Sequence, residues 1–140
     1  MNVRLLAVFC LVATPSAAQQ IEDVAPLGCP SPDQFCKSSS ASLRLAIPKA
    51  FKRDYQAQRN VSFCLVDGCD GAIQPNRMLG CAWRLVILAS GSSKVDSTDT
   101  GFLDAYCASR LSPTEKAAAD AQASELFKKV YDRPMRRLPW

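Results

Sequence analysis

The sequence contains no histidine, and this absence removes the residue most often used for acid-base catalysis and metal binding. Nucleophilic schemes that pair serine or cysteine with histidine are therefore excluded. The sequence also lacks a glycine-rich phosphate loop and the alternating oxygen ligands of a calcium loop. None of its apolar runs reaches the roughly 20 residues that a membrane-spanning helix needs. We therefore expect no cofactor, no metal site and no transmembrane span once a signal peptide is removed.

The first 18 residues follow the three-part pattern of a secretory signal peptide. A positively charged start at residues 1–4 precedes an apolar run at residues 5–13, and small residues then favour cleavage before Gln19. The apolar run is too short for a membrane anchor. Cys10 lies within it in a poor match to a lipoprotein processing site, so we assign Cys10 to the signal. The pattern predicts a periplasmic or secreted protein.

Six cysteines remain after signal removal, and an even number in an exported chain indicates a disulfide framework. Zinc binding and thiol redox chemistry are the alternatives, but both are disfavoured because there is no histidine and no Cys-x-x-Cys pair. Six cysteines allow 15 pairings. We favour the three disulfides Cys29 with Cys36, Cys64 with Cys69, and Cys81 with Cys107. The main alternative pairs Cys64 with Cys81 and Cys69 with Cys107.

The net charge of +4 falls to +3 when Arg4 is removed with the signal. This mild excess favours solubility and does not by itself indicate a nucleic-acid or membrane-lipid partner.

Hydrophobic spacing after the signal predicts an all-α domain at residues 43–132. An irregular arm rich in proline and serine at residues 19–42 precedes the domain, and a basic, extended tail at residues 133–140 follows it. The most apolar segment, residues 76–90, predicts a central helix that is buried on nearly all sides, with Trp83 in the core.

Three further helices are predicted around this central helix. The first begins near Pro48 and ends near Gly68. A short one begins at a cap provided by Ser97, Thr98 or Asp99 and ends around residues 109–111. The last begins with a capping box between Ser112 and Glu115, and extends to Tyr131.

The segment Phe63-Cys64-Leu65-Val66-Asp67-Gly68-Cys69-Asp70-Gly71-Ala72-Ile73-Gln74-Pro75-Asn76, followed by Leu79, Ala82-Trp83 and Leu88-Ala89, resembles a degenerate Sel-one-like repeat. That repeat is a helix-turn-helix unit related to the tetratricopeptide repeat. The resemblance covers residues 51–131, and residues 111–115 resemble the start of the helix that closes such arrays. It implies a helical hairpin and an adaptor or scaffold function in the cell envelope. One unit does not form the concave binding surface of a stacked array.

Two pairs of carboxylates are candidate catalytic groups for an envelope hydrolase. Asp67 and Asp70 flank a glycine in a predicted turn, where aspartate commonly bonds the backbone. Asp96 and Asp99 lie where a helix cap is expected. We therefore assign no catalytic residue and predict that the chain is not an enzyme.

The basic C-terminal segment is a candidate partner-binding site. The interpretation that we favour for it is a solvated helix end, whose cations complement the helix dipole, followed by a frayed tail. The residues concerned are Lys128, Lys129, Arg133, Arg136, Arg137 and Trp140. The sequence thus predicts an exported protein-protein interaction or scaffold module, with an anionic envelope component as a possible second partner of the tail. An envelope hydrolase and an inhibitor of one secreted protein are the alternative functions.

Overall fold

The structure is a computed structural model that describes residues 28–30 and 32–140. Those residues form five α-helices and no strand, which confirms the predicted all-α class. The helices are α1 (Gln34–Phe51), α2 (Tyr55–Asp67), α3 (Arg77–Ala89), α4 (Ser97–Phe102) and α5 (Pro113–Tyr131). A π-helical segment, Leu103–Ala108, continues directly from α4. The predicted signal peptide and the first part of the predicted arm, residues 19–27, lie outside the described residues.

Helix α1 begins at Gln34, so the prediction of an irregular arm up to residue 42 is wrong for residues 34–42. Asp33 caps the helix because its side chain accepts a hydrogen bond from the backbone N–H of Cys36. The buried residues recur at helical spacing along one face: Cys36, Ser40, Leu43, Ala46 and Ala50. Their small side chains make a weak hydrophobic signal, and the serine-rich composition conceals it.

The predicted helix from Pro48 to Gly68 is divided in the structure. Pro48 lies in the last turn of α1, and the chain turns at residues 52–54 before α2 begins. Asp54 caps α2 by accepting from the backbone N–H of Ala57. The predicted end of this helix is confirmed, because Gly68 adopts the left-handed conformation at the C-cap of α2.

Helices α2 and α3 approach closely where Gly80 lies against α2. A Cβ atom at Gly80 would lie 2.6 Å from Val66 Cγ2 and 2.9 Å from the carbonyl oxygen of Ser62. The hydroxyl of Ser62 donates to the Gly80 carbonyl oxygen at 2.8 Å. Only a residue without a side chain permits this contact, so Gly80 sets the spacing of the hairpin.

The predicted central helix is confirmed as α3. All nine residues from 79 to 87 are buried, and Trp83 is 0 % exposed. The Phe51 ring meets the Trp83 ring edge-on, with centroids 5.3 Å apart. Helix α3 packs against both α2 and α5, which explains why apolar residues cover nearly its whole circumference.

The capping prediction for α4 needs a correction of one residue. Asp96 is the N-cap, and the Asp99 carboxylate completes a capping box by accepting from the Asp96 backbone N–H. The capping box of α5 is as predicted, with Ser112 and Glu115 bonding each other's backbone N–H groups.

Three disulfides join the cysteines in the favoured pairing, which confirms it over the alternative. They are Cys29–Cys36, Cys64–Cys69 and Cys81–Cys107. Among the described residues, no helix combines the length and apolarity of a membrane span.

The helix directions divide the bundle into two ends. A short turn makes α1 and α2 antiparallel, and the bond from Ser62 to Gly80 together with one from the Asn76 N–H to the Leu65 carbonyl makes α2 and α3 antiparallel. A bond from Arg133 to the Ser90 carbonyl joins the C-terminal ends of α3 and α5. The C-terminal ends of α1, α3 and α5 therefore meet at the N-terminal end of α2.

Candidate functional site

Basic side chains collect at this meeting point of helix ends, which we call the cationic end. Its three segments are residues 49–54, 90–94 and 129–133. They carry six cations, namely Lys49, Lys52, Arg53, Lys94, Lys129 and Arg133, and two carboxylates, Asp54 and Asp132. The surplus of four positive charges equals the net charge of the whole chain, although these segments are a small part of it.

Two of the six cations are held against helix ends. The Arg53 Nε atom donates to the Val130 carbonyl oxygen at 3.0 Å. The Arg133 Nη2 atom donates to the Ser90 carbonyl oxygen at 3.1 Å. Both guanidinium groups also lie near the Tyr131 ring, at 5.4 and 5.8 Å from its centroid. These contacts satisfy carbonyl groups that a helix leaves unpaired, so part of the charge serves the fold.

Lys49, Lys52 and Lys94 line an open cleft of about 590 Å³ together with Arg53. The residues that line it are Lys49, Lys52, Arg53, Asp54, Tyr55, Ser92 and Lys94. Lys49, Lys52 and Lys94 are exposed, and no ion pair joins them to a carboxylate within residues 28–30 and 32–140. The Asp54 carboxylate, which caps α2, also lines the cleft. Four cations share the lining with this single carboxylate, so the cleft has a net positive charge that attracts anions.

A buried ionic cluster lies behind the Tyr55 side of the cleft. Asp99, 0 % exposed, accepts from Arg84 Nη1 at 2.6 Å through Oδ1 and from the Tyr55 hydroxyl at 2.6 Å through Oδ2. The Arg59 Nε atom lies 3.4 Å from Asp99 Oδ1. Burial and the hydrogen bond to Asp99 both raise the pKa of Tyr55. The cluster joins α2, α3 and α4. It also holds Tyr55, which lines the cleft, in position.

Arg84 shows why this cluster is structural. Its guanidinium carbon lies 3.9 Å from the Phe102 ring centroid, and burial lowers its pKa. A buried arginine needs a partner, since an unpaired buried charge is strongly unfavourable. Asp99 provides that partner, and its carboxylate is enclosed away from solvent.

A second, smaller groove of about 180 Å³ lies between α1 and α2. It is lined by Ser39, Ser42, Leu43, Asn60, Phe63, Cys64 and Cys69. The Phe63 side chain is partly exposed beside it, and Phe35 is 77 % exposed elsewhere on α1. The groove contains no charged group, so it lacks the electrostatic character of the cationic cleft.

The candidate partner-binding residues of the C-terminal segment lie in different parts of the structure. Lys129 and Arg133 belong to the cationic end, and Lys128 is exposed next to them on α5. Arg136 and Arg137 are exposed on the non-helical tail. Trp140 is half-buried, packs against the core, and its ring centroid lies 5.8 Å from the Nζ atom of Lys116, in the second turn of α5. The tail therefore returns along α5, and its tryptophan is distant from the cleft.

The considered carboxylate pairs have local structural roles. Asp70 lies in a left-handed turn (φ 56°) and accepts from the Ser39 hydroxyl at 2.7 Å. Asp67 is exposed at the last residue of α2. Asp96 and Asp99 form the capping box of α4. In the part of the chain that the structure describes, no group of three or more cysteine, aspartate or glutamate side chains is arranged to hold a metal ion.

Sequence reasoning missed the four cations of the cleft itself: Lys49, Lys52, Arg53 and Lys94. They come from two segments that are separated by about 40 residues and are joined only by the helix directions. It also missed the Asp99 cluster, although a signal was present. Arg84 is a lone charge inside an apolar helix, and such a charge requires a partner.

Comparison with known proteins gives no match, whether against protein-family models, curated proteins or solved structures.

Proposed function

We propose that this chain is an exported, non-enzymatic interaction module that binds an acidic protein partner through its cationic end. The unpaired positive charge of the cleft carries the proposal. Complementary charge accelerates association and selects partners, and it acts most strongly where the charges are not already neutralised within the molecule.

Export is supported by two independent features. The N-terminal sequence has the signal-peptide pattern, and six cysteines form three disulfides, which persist in oxidising compartments. The periplasm or the extracellular space is therefore the proposed location. The Sel-one-like resemblance stays a prediction and is compatible with an adaptor function.

The composition of the cleft supports protein binding over small-molecule catalysis. Ligand pockets of about 300–1,000 Å³ are usually mostly apolar, with a few polar groups that fix the ligand. This cleft has a suitable volume, but charged and polar side chains dominate its lining. Such a surface resembles the polar, charged rim of an interface and favours electrostatic docking.

The experiment is affinity capture from an extract of the native compartment, with mass spectrometry of the proteins retained. The bait is the mature chain, compared with the triple variant Lys49→Gln/Lys52→Gln/Lys94→Gln. A matched control, Lys37→Gln/Arg110→Gln/Arg137→Gln, removes three exposed cations outside the cleft. We expect the intact chain and the control to retain the same acidic proteins, and the cleft variant to lose them.

Raising the ionic strength should release the partner, because salt screens exposed charges. Equal retention by both triple variants would contradict the proposal, as would a captured set without excess acidic proteins.

A further inference from the structure

We propose that Arg53 anchors a defined site within the cationic cleft that takes the carboxylates of a short acidic peptide segment. This inference rests on the proposed function and narrows it to one contact. The site is distinct from the C-terminal segment that the sequence offered as a candidate for partner binding.

Arg53 lies immediately after the C-cap residue at which helix α1 ends. Its φ of 68° lies in the left-handed region, where glycine is usual. The Arg53 N–H donates to the Ala50 carbonyl oxygen and the Asp54 N–H donates to the Lys49 carbonyl oxygen, the Schellman pattern that commonly ends a helix. The helix end therefore explains the left-handed conformation, and it fixes the point from which the Arg53 side chain leaves the backbone.

Contacts within the chain hold one edge of the Arg53 guanidinium, and the other edge can bind a ligand. Nε donates to the Val130 carbonyl oxygen, and the group lies over the Tyr131 ring. No hydrogen bond or ion pair among the described residues uses Nη1 or Nη2 of Arg53. Arg53 is one of the residues that line the cleft, and its two Nη atoms can offer parallel N–H donors to a carboxylate. A fork that is already oriented loses less freedom on binding than a mobile lysine.

The surrounding lysines extend the site beyond a single anion. Lys49 and Lys52 come from the last turn of α1 and the residue after it, whereas Lys94 comes from the connection after α3. Lysine is a compact, mobile point charge and does not select planar geometry. One oriented guanidinium together with three lysines in the same cleft can bind a chain that presents several negative charges in succession. An acidic peptide segment has this character.

The test uses acetylated hexaglutamate as the probe, with binding measured by calorimetry on the mature, oxidised chain. The variant Arg53→Lys keeps the positive charge and removes the paired N–H donors of the guanidinium. We expect it to weaken binding at least about tenfold. The matched control Arg137→Lys makes the same change on the exposed tail and should alter affinity by less than about twofold. Thermal unfolding of each variant verifies the fold. A second variant, Arg53→Gly, adopts the left-handed conformation without strain, so its loss of binding would not be due to backbone distortion.

Each result decides the proposal. Selective weakening by both Arg53 variants supports it. Equal affinity of Arg53→Lys and Arg137→Lys overturns it, and so does failure of hexaglutamate to bind the intact chain. Tighter, Arg53-dependent binding of inorganic polyphosphate than of hexaglutamate also overturns it in favour of a phosphate ligand. If Arg53→Lys binds normally while the triple lysine variant loses its acidic partners, the anchor is wrong and the proposed function stands.

Discussion

The two ends of the bundle are stabilised by different means. At one end, the disulfides Cys29–Cys36 and Cys64–Cys69 close the start of α1 and the end of α2, and Cys81 of the third disulfide lies in the first half of α3. We call this the disulfide end. At the cationic end, the described helices are joined by the hydrogen bonds of Arg53 and Arg133 to carbonyl groups and by the edge-on contact of Phe51 at the end of α1 with Trp83 of α3. The two short disulfides therefore lie at the end of the bundle opposite to the cationic cleft.

This division has a physical consequence for binding. Like charges placed together repel, and their neutralisation by internal carboxylates would remove the attraction for a partner. A bundle fixed covalently at the opposite end tolerates this repulsion. Lys49, Lys52 and Lys94 form no ion pair with a carboxylate among the described residues, and the disulfides stabilise the fold without them.

The largest expected effect comes from breaking the Asp99 cluster, which links the helices between the two ends. Asp99→Ala leaves Arg84 buried without its carboxylate, and we expect a loss of about 3–5 kcal/mol in unfolding free energy. Urea denaturation monitored by circular dichroism measures the loss.

Asp104→Ala is the control for this substitution, because Asp104 is exposed and should change stability by less than about 0.5 kcal/mol. A similarly small loss for Asp99→Ala would show that the cluster does not connect the ends.

The disulfides should differ in strength according to the length of chain that each closes. Removing Cys81–Cys107, with a separation of 26 residues, is expected to cost about 3.5 kcal/mol. Removing Cys64–Cys69, with a separation of 5, is expected to cost about 2 kcal/mol. Paired Cys→Ala variants compared in urea denaturation give this order. The reverse order would show that the left-handed turn at Cys69 and Asp70, and not the length of chain closed, determines the contribution of the Cys64–Cys69 disulfide.

At the cationic end, stability should increase when Asp132 is replaced by glycine. Asp132 ends α5 with φ 54°, a conformation that glycine adopts without strain, and its negative charge lies unfavourably at a helix C-terminus. We expect Asp132→Gly to add about 1 kcal/mol, seen as a rise in Tm of a few degrees.

The same change at Asp67 provides the control, since Asp67 has helical geometry and glycine there brings no gain. A rise in Tm with Asp67→Gly and none with Asp132→Gly would refute this account of the α5 cap.

The smallest effect concerns the capping box of α5, which lies at its N-terminal end. Hydrogen bonds from the backbone N–H and the hydroxyl of Ser112 lower the pKa of Glu115. A lowered pKa in the folded state stabilises the fold above the ordinary pKa of glutamate, and this contribution is lost as the pH falls through the folded-state value. The Tm difference between the intact chain and Glu115→Gln should therefore be present at neutral pH and diminish as the pH falls below the ordinary pKa of glutamate. A difference that is independent of pH would rule out the ionised carboxylate as its source.

Local sequence signals predicted much of the fold. The Ser112, Pro113 and Glu115 pattern identified the start of α5, and the apolar run identified α3, because each depends on neighbouring residues alone. The favoured disulfide pairing was also confirmed, and it joins cysteines that are consecutive in the chain. The start of α1 was missed because small buried residues give little hydrophobic contrast.

The candidate site could not be predicted from local sequence signals, because its cations come from segments that are distant in the sequence. Lys52 and Lys94 share a cleft only because α2 and α3 form an antiparallel hairpin between them. The left-handed conformation of Arg53 follows from the position of the turn between α1 and α2, which the sequence placed inside a helix. The basic C-terminal segment was apparent in the sequence, but the structure brings only part of it to the cationic end.

Mapping of hexaglutamate binding by amide chemical shifts on the isotopically labelled, oxidised mature chain tests the division of the two ends most directly. We expect shift changes at residues 49–54, 90–94 and 129–133, with residues 64–69 and 107 unaffected. Changes centred on the disulfide end, or spread evenly over the exposed cations of both ends, would contradict this expectation.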